Sequence, residues 1–283
     1  MLNKKQRSLS VVLLIYLICF VFRILEYFLL RTDKTFLGEA FVHKLIGIAV
    51  LFIIVKIYSL KLSEVGFRKQ KVLPNLLIGL SFGTATFIFA YSVEILILRF
   101  QENFDLLKLY VSAYSVEENT GDQTAFIFFL ICIIGNIINV IMEEGIFRGL
   151  FQKLLERKYA FITSAVLASV LFGIWHIISP LRSYLDGTIS MGGFITTSIM
   201  LITTSALVGF KFAMMTKLTE NLYVAMGDHF VNNTIVNMLH VISDTGTDEL
   251  MVIRISIAQS VSFIAILLWY IVVQCKNKTE SIR

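Results

Sequence analysis

Glu143, His176, His229 and Asn233 are the residues whose types and spacing could do chemistry in this chain. Each interrupts an apolar stretch long enough to cross a membrane. An ionisable group there costs at least a few kcal/mol, so it is usually paired and usually functional. One carboxylate and two imidazoles converging in a dry site can polarise water and run general acid/base chemistry. An asparagine amide beside them can donate to an oxyanion. Glu144 and Arg148 are four apart, so on a helix they share a face and can pair. Glu143 is rotated about 100° away from that pair and is free to point elsewhere. Gly145 and Gly149 flank the pair and would let another helix approach closely. His229 and Asn233 also share a face, with Asp228 next door and Asn237 one turn further on.

The bland reading is that these groups only hold helices together. A lone polar residue in a spanning helix is often such glue, worth about 0.6 kcal/mol on average. Order, spacing and depth would all have to coincide for the whole set, and that favours a site. His43 and His240 lie near span ends and are expected to be interfacial without chemistry. Trp175 and Trp269 read as packing or membrane-belt residues. The abundant Phe supports no cofactor box.

The elements that must carry these residues are spanning helices. Hydrophobic residues make up 57% of the 283, with two prolines, and mean hydropathy is +0.79. A soluble domain is nearer half apolar. The pattern predicts an all-α polytopic membrane protein, a single membrane domain over 1–283. About eight transmembrane helices are expected: Leu9–Leu30, Ala40–Leu60, Leu73–Leu98, Phe126–Arg157, Ala160–Ile178, Gly193–Met215, Leu222–Val241 and Met251–Gln274. Arg23 and Glu26, three apart in the first, are expected to pair. Gly66 and Pro74 break the link after the second, and a loop with Pro180, Asp186 and Gly187 follows the fifth. The longest polar connection is Arg99–Thr124.

Charge placement supports this count. Lys4, Lys5 and Arg7, then Lys61, Arg68, Lys69 and Lys71, then Lys153, Arg157 and Lys158, then Lys211 and Lys217, then Lys276, Lys278 and Arg283 fall on one side. Glu117, Glu118, Asp122, Asp186, Asp244, Asp248 and Glu249 fall on the other. Only the first outer loop is weak, with Arg31 and Lys34 beside Asp33 and Glu39. The positive-inside rule then puts both termini in the cytoplasm. The net charge of +5 follows from that rule and from anionic inner-leaflet lipid. No basic patch interleaved with aromatics points to nucleic acid. Cys19, Cys132 and Cys275 are too scattered for a disulfide framework or a zinc site, and read as reduced, packed thiols.

Glu143-Glu144-x-x-x-Arg148, Phe172-x-x-x-His176 and His229-x-x-x-Asn233, in that order on separate spans, resemble the three motifs of the CPBP intramembrane proteases. This family of CAAX proteases and bacteriocin-processing proteins, also called Abi, includes the Rce1-type endopeptidases. The resemblance covers 126–241, with every motif position filled. Leu62–Phe67 resembles a weakly recurring element of bacterial members. The resemblance implies an eight-helix endopeptidase with a polar cavity open to the cytoplasm. By it, Glu143 and His176 would activate the attacking water. His229 and Asn233 would stabilise the tetrahedral oxyanion, and Glu144 and Arg148 would support the site. No cofactor is favoured. Glu143, His176 and His229 could instead ligate zinc with an open fourth position, although the HExxH spacing is lacking.

The expected partners are a membrane-associated peptide or protein substrate and the lipid bilayer, in the plasma membrane of a bacterium. CAAX-like processing, peptide maturation and self-immunity to bacteriocins are the candidate roles. The alternative is a non-proteolytic binding or immunity protein with a structural polar cluster. A carrier would want Gly/Pro-interrupted spans in matching halves, and no repeat is visible.

Overall fold

The computed structural model describes residues 8–35, 38, 40–112 and 123–282, with side chains as far as 280. Lys4, Lys5, Arg7, Glu39, Glu117, Glu118, Asp122 and Arg283 of the charge pattern lie outside the described residues. The helices are α1 (Ser8–Leu25), α2 (Val42–Ile57), α3 (Val72–Phe100), α4 (Phe126–Glu143), α5 (Gln152–Leu155), α6 (Phe161–Trp175), α7 (Ile178–Leu185), α8 (Met191–Thr219), α9 (Tyr223–Met238) and α10 (Met251–Ile282). Helix α1 passes into π-helical turns over Glu26–Leu30, and α4 passes into π-helical turns over Glu144–Phe151. Two strands, β1 (Phe104–Leu109) and β2 (Leu239–Ser243), pair antiparallel.

Among the described residues, six helical stretches are long and apolar enough to cross a membrane: Ser8–Lys34, Val72–Phe100, Phe126–Leu155, Phe161–Leu185, Met191–Thr219 and Met251–Glu280. Many of their Leu, Ile, Phe and Val side chains face outward, as a lipid-facing surface requires. The expected second and seventh spans are the 16-residue helices α2 and α9.

Several expectations need correction. The expected seventh span, Leu222–Val241, ends as a helix at Met238. Leu239 turns to extended backbone, and β-branched Val241 and Ile242 pair with Leu107 and Leu106 of β1. Among the described residues the fold is therefore all-α apart from one two-stranded ribbon and an isolated Val111–Gln123 bridge, and part of the Arg99–Thr124 connection belongs to the ribbon. Pro180 lies in the first turn of α7 rather than in a loop. Its missing N–H would have no intrahelical partner there. Cys275 is exposed, on the polar end of α10, while Cys19 and Cys132 are buried. Arg23 and Glu26 do not pair as the α-helical spacing predicted, because α-helical geometry stops at Leu25. Glu26 accepts instead from the Val42 and His43 backbone N–H groups at 2.8 and 2.5 Å, and lies 2.6 Å from His43 Nδ1. His43 is consequently buried.

The chain divides into two compact units. The first comprises Met1–Val72 and Ile133–Ala213. Its core gathers α1, α2, the π-helical segment and α6 around Phe147, whose ring meets Phe151, Phe172 and Trp175 edge-on at 5.1 to 5.8 Å. The second comprises Leu73–Cys132 and Met214–Arg283. Its core is built on Phe87, Ala90, Tyr91, Val231, Val241 and Ala258.

Candidate active site

The first unit carries Glu143, Glu144, Arg148 and His176. Glu143 closes α4 and is 3% exposed. Its two oxygens have separate donors. Trp175 Nε1 donates to Oε1 at 3.2 Å, and Asn139 Nδ2, one turn back on α4, donates to Oε2 at 3.2 Å. Two donors on a buried carboxylate hold it in one rotamer. His176 follows Trp175 at the end of α6, where the helix breaks before α7. Its Nδ1 lies 2.8 Å from the Phe172 carbonyl oxygen. A carbonyl only accepts, so Nδ1 carries the proton.

The π-helical turns set the neighbouring charges. Glu144 is fully buried and Arg148 is 4% exposed. Arg148 Nη1 lies 3.3 Å from Glu144 Oε1, and Nε donates to the Gly209 carbonyl of α8 at 3.4 Å. The guanidinium stacks 3.9 Å from the Phe172 ring, and that ring meets the His176 imidazole edge-on at 4.8 Å. Phe172 thus links the arginine of one motif to the histidine of the next. Gly209 permits this packing: a Cβ there would lie 2.9 Å from Arg148 Nη2 and 3.1 Å from Phe172 Cδ1.

The second unit carries His229 and Asn233, four apart on α9. His229 is buried, and Asn233 is half-buried. Gln259 Nε2 of α10 donates to Asn232 Oδ1 at 2.8 Å, and Asn232 Nδ2 donates to Asn233 Oδ1 at 2.8 Å. The relay occupies the Asn233 oxygen, and the amide N–H₂ of that side chain is a donor, the kind of group an oxyanion would need. Helix α9 is seated on α3 through small residues. A Cβ on Gly79 would lie 2.2 Å from the Val224 carbonyl oxygen, and one on Gly227 would lie 2.7 Å from the Leu76 carbonyl oxygen.

Two partners of Glu143 and one further buried histidine escape sequence reasoning. Trp175 reads as packing, yet it holds Glu143. Asn139 was not singled out, although its spacing of four before Glu143 was available as a signal. His240 was expected to be interfacial. It is fully buried, with Nδ1 3.0 Å from Asp248 Oδ2 and its ring stacked 3.8 Å from that of Tyr110. Among the described residues, no group of three or more His, Cys, Asp or Glu is arranged to hold a metal ion.

No curated protein matches the chain. Residues 125–235 match the family described as "Type II CAAX prenyl endopeptidase Rce1-like". That segment contains all three motifs and the helices α4 to α8 with most of α9. The protein is a polytopic membrane protein whose segment 125–235 is similar to the Rce1-like family of CAAX-type membrane endopeptidases.

Proposed function

We propose that the chain is an intramembrane endopeptidase that hydrolyses a peptide bond in a membrane-proximal protein or peptide. Glu143 takes a proton from water as the water oxygen attacks the scissile carbonyl carbon, with His176 assisting through Nε2. His229 and the Asn233 amide donate to the resulting oxyanion. The intermediate collapses, the C–N bond breaks, and the proton held by Glu143 passes to the leaving amine. Glu144 and Arg148 keep the π-helical turns in register.

One observation supports this reading above the others. Glu143 is a buried carboxylate with a donor on each oxygen, one of them the indole of Trp175, and Trp175 directly precedes a histidine whose tautomer is set by a backbone carbonyl. A group serving only as helix glue has no need of a fixed neighbouring tautomer. The Rce1-like match supports the reaction class. The Lys/Arg bias supports cytoplasmic termini and a substrate reached from the inner leaflet. A prenyl group on the substrate has no support in the residues described.

Steady-state cleavage of a membrane-proximal peptide library in liposomes tests the division of roles. Asn233→Ala and His229→Ala should lower kcat by about 10²–10³-fold with little change in KM, as loss of an oxyanion donor does. Unchanged kcat in folded variants would remove both residues from the mechanism. A library that no condition cleaves would favour a binding or immunity protein in which the same polar groups are structural.

A further inference from the structure

Trp175 does more than fill the core of the first unit. Its indole is 1% exposed and its Nε1–H donates to Glu143 Oε1 at 3.2 Å. On the ring lies the guanidinium of Arg23 from α1, 4.6 Å from the ring centroid, with Arg23 itself 5% exposed. The His43 ring packs against the same indole at 5.8 Å, and His43 is held in turn by Glu26. A cation stacked on an aromatic face in a dry setting interacts strongly with its electrons. It draws density from the indole and makes the N–H a better donor. The carboxylate at the far end of that N–H is the group proposed to act as base.

We propose that Trp175 is a positioning residue for Glu143, acting through its indole N–H, with Arg23 stacked on the ring to strengthen that donor. The pair would keep Glu143 ionised and fixed in rotamer at pH values where an unassisted buried carboxyl would take up a proton. Arg23 lies outside the Rce1-like segment, so α1 would contribute to the chemistry without touching the substrate. This inference rests on the assignment of Glu143 as the base.

The test replaces the N–H while keeping the ring. β-(3-Benzothienyl)alanine at position 175 substitutes sulfur for N–H in a nearly isosteric side chain, and Trp175→Phe is a second variant. Arg23→Gln removes the stacked charge. Thermal unfolding in detergent confirms that each variant is folded. Cleavage is followed against pH, and the infrared carboxylic C=O band of Glu143, assigned by its absence in Glu143→Gln, is titrated in parallel. Loss of a hydrogen bond to a carboxylate should move the acid limb of kcat/KM and the infrared midpoint upward together, by about one to two pH units. Arg23→Gln should move both the same way by less. A uniform loss of activity with neither midpoint moved would overturn the proposal and leave Trp175 as packing. If the wild type cleaves nothing, the protease reading fails separately. The infrared titration still decides whether Trp175 holds Glu143 ionised: an upward shift supports it and an unmoved band overturns it.

Discussion

Arg254 grips Asp248 with two hydrogen bonds, Nη1 to Oδ1 at 3.1 Å and Nη2 to Oδ2 at 2.6 Å. Its Nη1 also donates to Glu94 Oε2 at 2.6 Å, and the Tyr91 ring lies 4.5 Å beneath the guanidinium. Arg254 and Glu94 are fully buried. This cluster joins α3, α10 and the turn after β2, and so closes the second unit at its ribbon end. Removing one partner strands a buried charge, which costs about 3–5 kcal/mol. Arg254→Met should therefore lower stability in detergent by that order, measured by reversible unfolding. The change should be no greater than additive when combined with a distant surface substitution such as Lys278→Ala.

Asp248 gives the cluster a pH dependence. Burial raises its affinity for a proton, but the hydrogen bonds from His240 and Arg254 outweigh burial and hold the carboxyl below the usual aspartate range. The unfolded chain then binds more protons than the folded one as pH falls. The stabilisation is full above the ordinary aspartate value of about 4 and is lost as pH falls through the lower folded value. Thermal unfolding followed from pH 7 downward, with those values set as about the range of interest, should show wild type losing stability below that point more steeply than Asp248→Asn. Parallel curves would show that Asp248 does not contribute in this way.

The Glu144–Arg148 pair should behave as a structural element next to Glu143. Both side chains are buried, 3.3 Å apart, inside the π-helical turns. Arg148→Met should cost about 3–5 kcal/mol, since Glu144 would be left as an uncompensated charge. The double variant Glu144→Gln with Arg148→Met should recover part of that loss. Equal losses in the single and double variants would show that the arginine acts mainly through its Gly209 and Phe172 contacts.

Close packing of α3 on α9 should matter for activity beyond stability. A methyl at Gly79 would meet the Val224 carbonyl oxygen at 2.2 Å, so the helices must separate. Gly79→Ala should cost about 1–3 kcal/mol. It should also lower kcat by up to about 10²-fold, because α9 carries His229 and Asn233 and a displacement near 1 Å is enough for that. Cleavage rates compared with those of Gly192→Ala, a helical glycine whose added Cβ would meet only Ser190 Oγ at an ordinary 3.7 Å, separate this effect from ordinary glycine replacement.

Much of the site was legible because it is local. Glu144 and Arg148, Phe172 and His176, and His229 and Asn233 each lie four apart, and helical geometry brings each pair together. The partners of Glu143 divide on the same principle. Asn139 is one turn away and could have been read, whereas Trp175 is 32 residues distant and needed the packing of α6. The β2 strand was hidden because Leu239–Ser243 continues an apolar run that reads as the end of a spanning helix. Only pairing with β1 distinguishes them. Asp248 looked like one acid of an outer loop, and its role depends on Arg254 and Glu94, which lies 160 residues from that arginine. The departure from α-helical register at Glu26 and at Glu144 has no counterpart in the apolar pattern.

The central claim is that Glu143 is the base of a peptide hydrolysis, and a cleavage assay in liposomes tests it most directly. Wild type, Glu143→Gln and His176→Ala are compared on a membrane-proximal peptide, with and without a chelator, and with thermal unfolding recorded for each. The account predicts that wild type cleaves, that both variants fold and that cleavage by Glu143→Gln falls at least about 10³-fold. Activity that resists the chelator would agree with a water activated by the glutamate. Cleavage that persists in a fully folded Glu143→Gln would contradict the account.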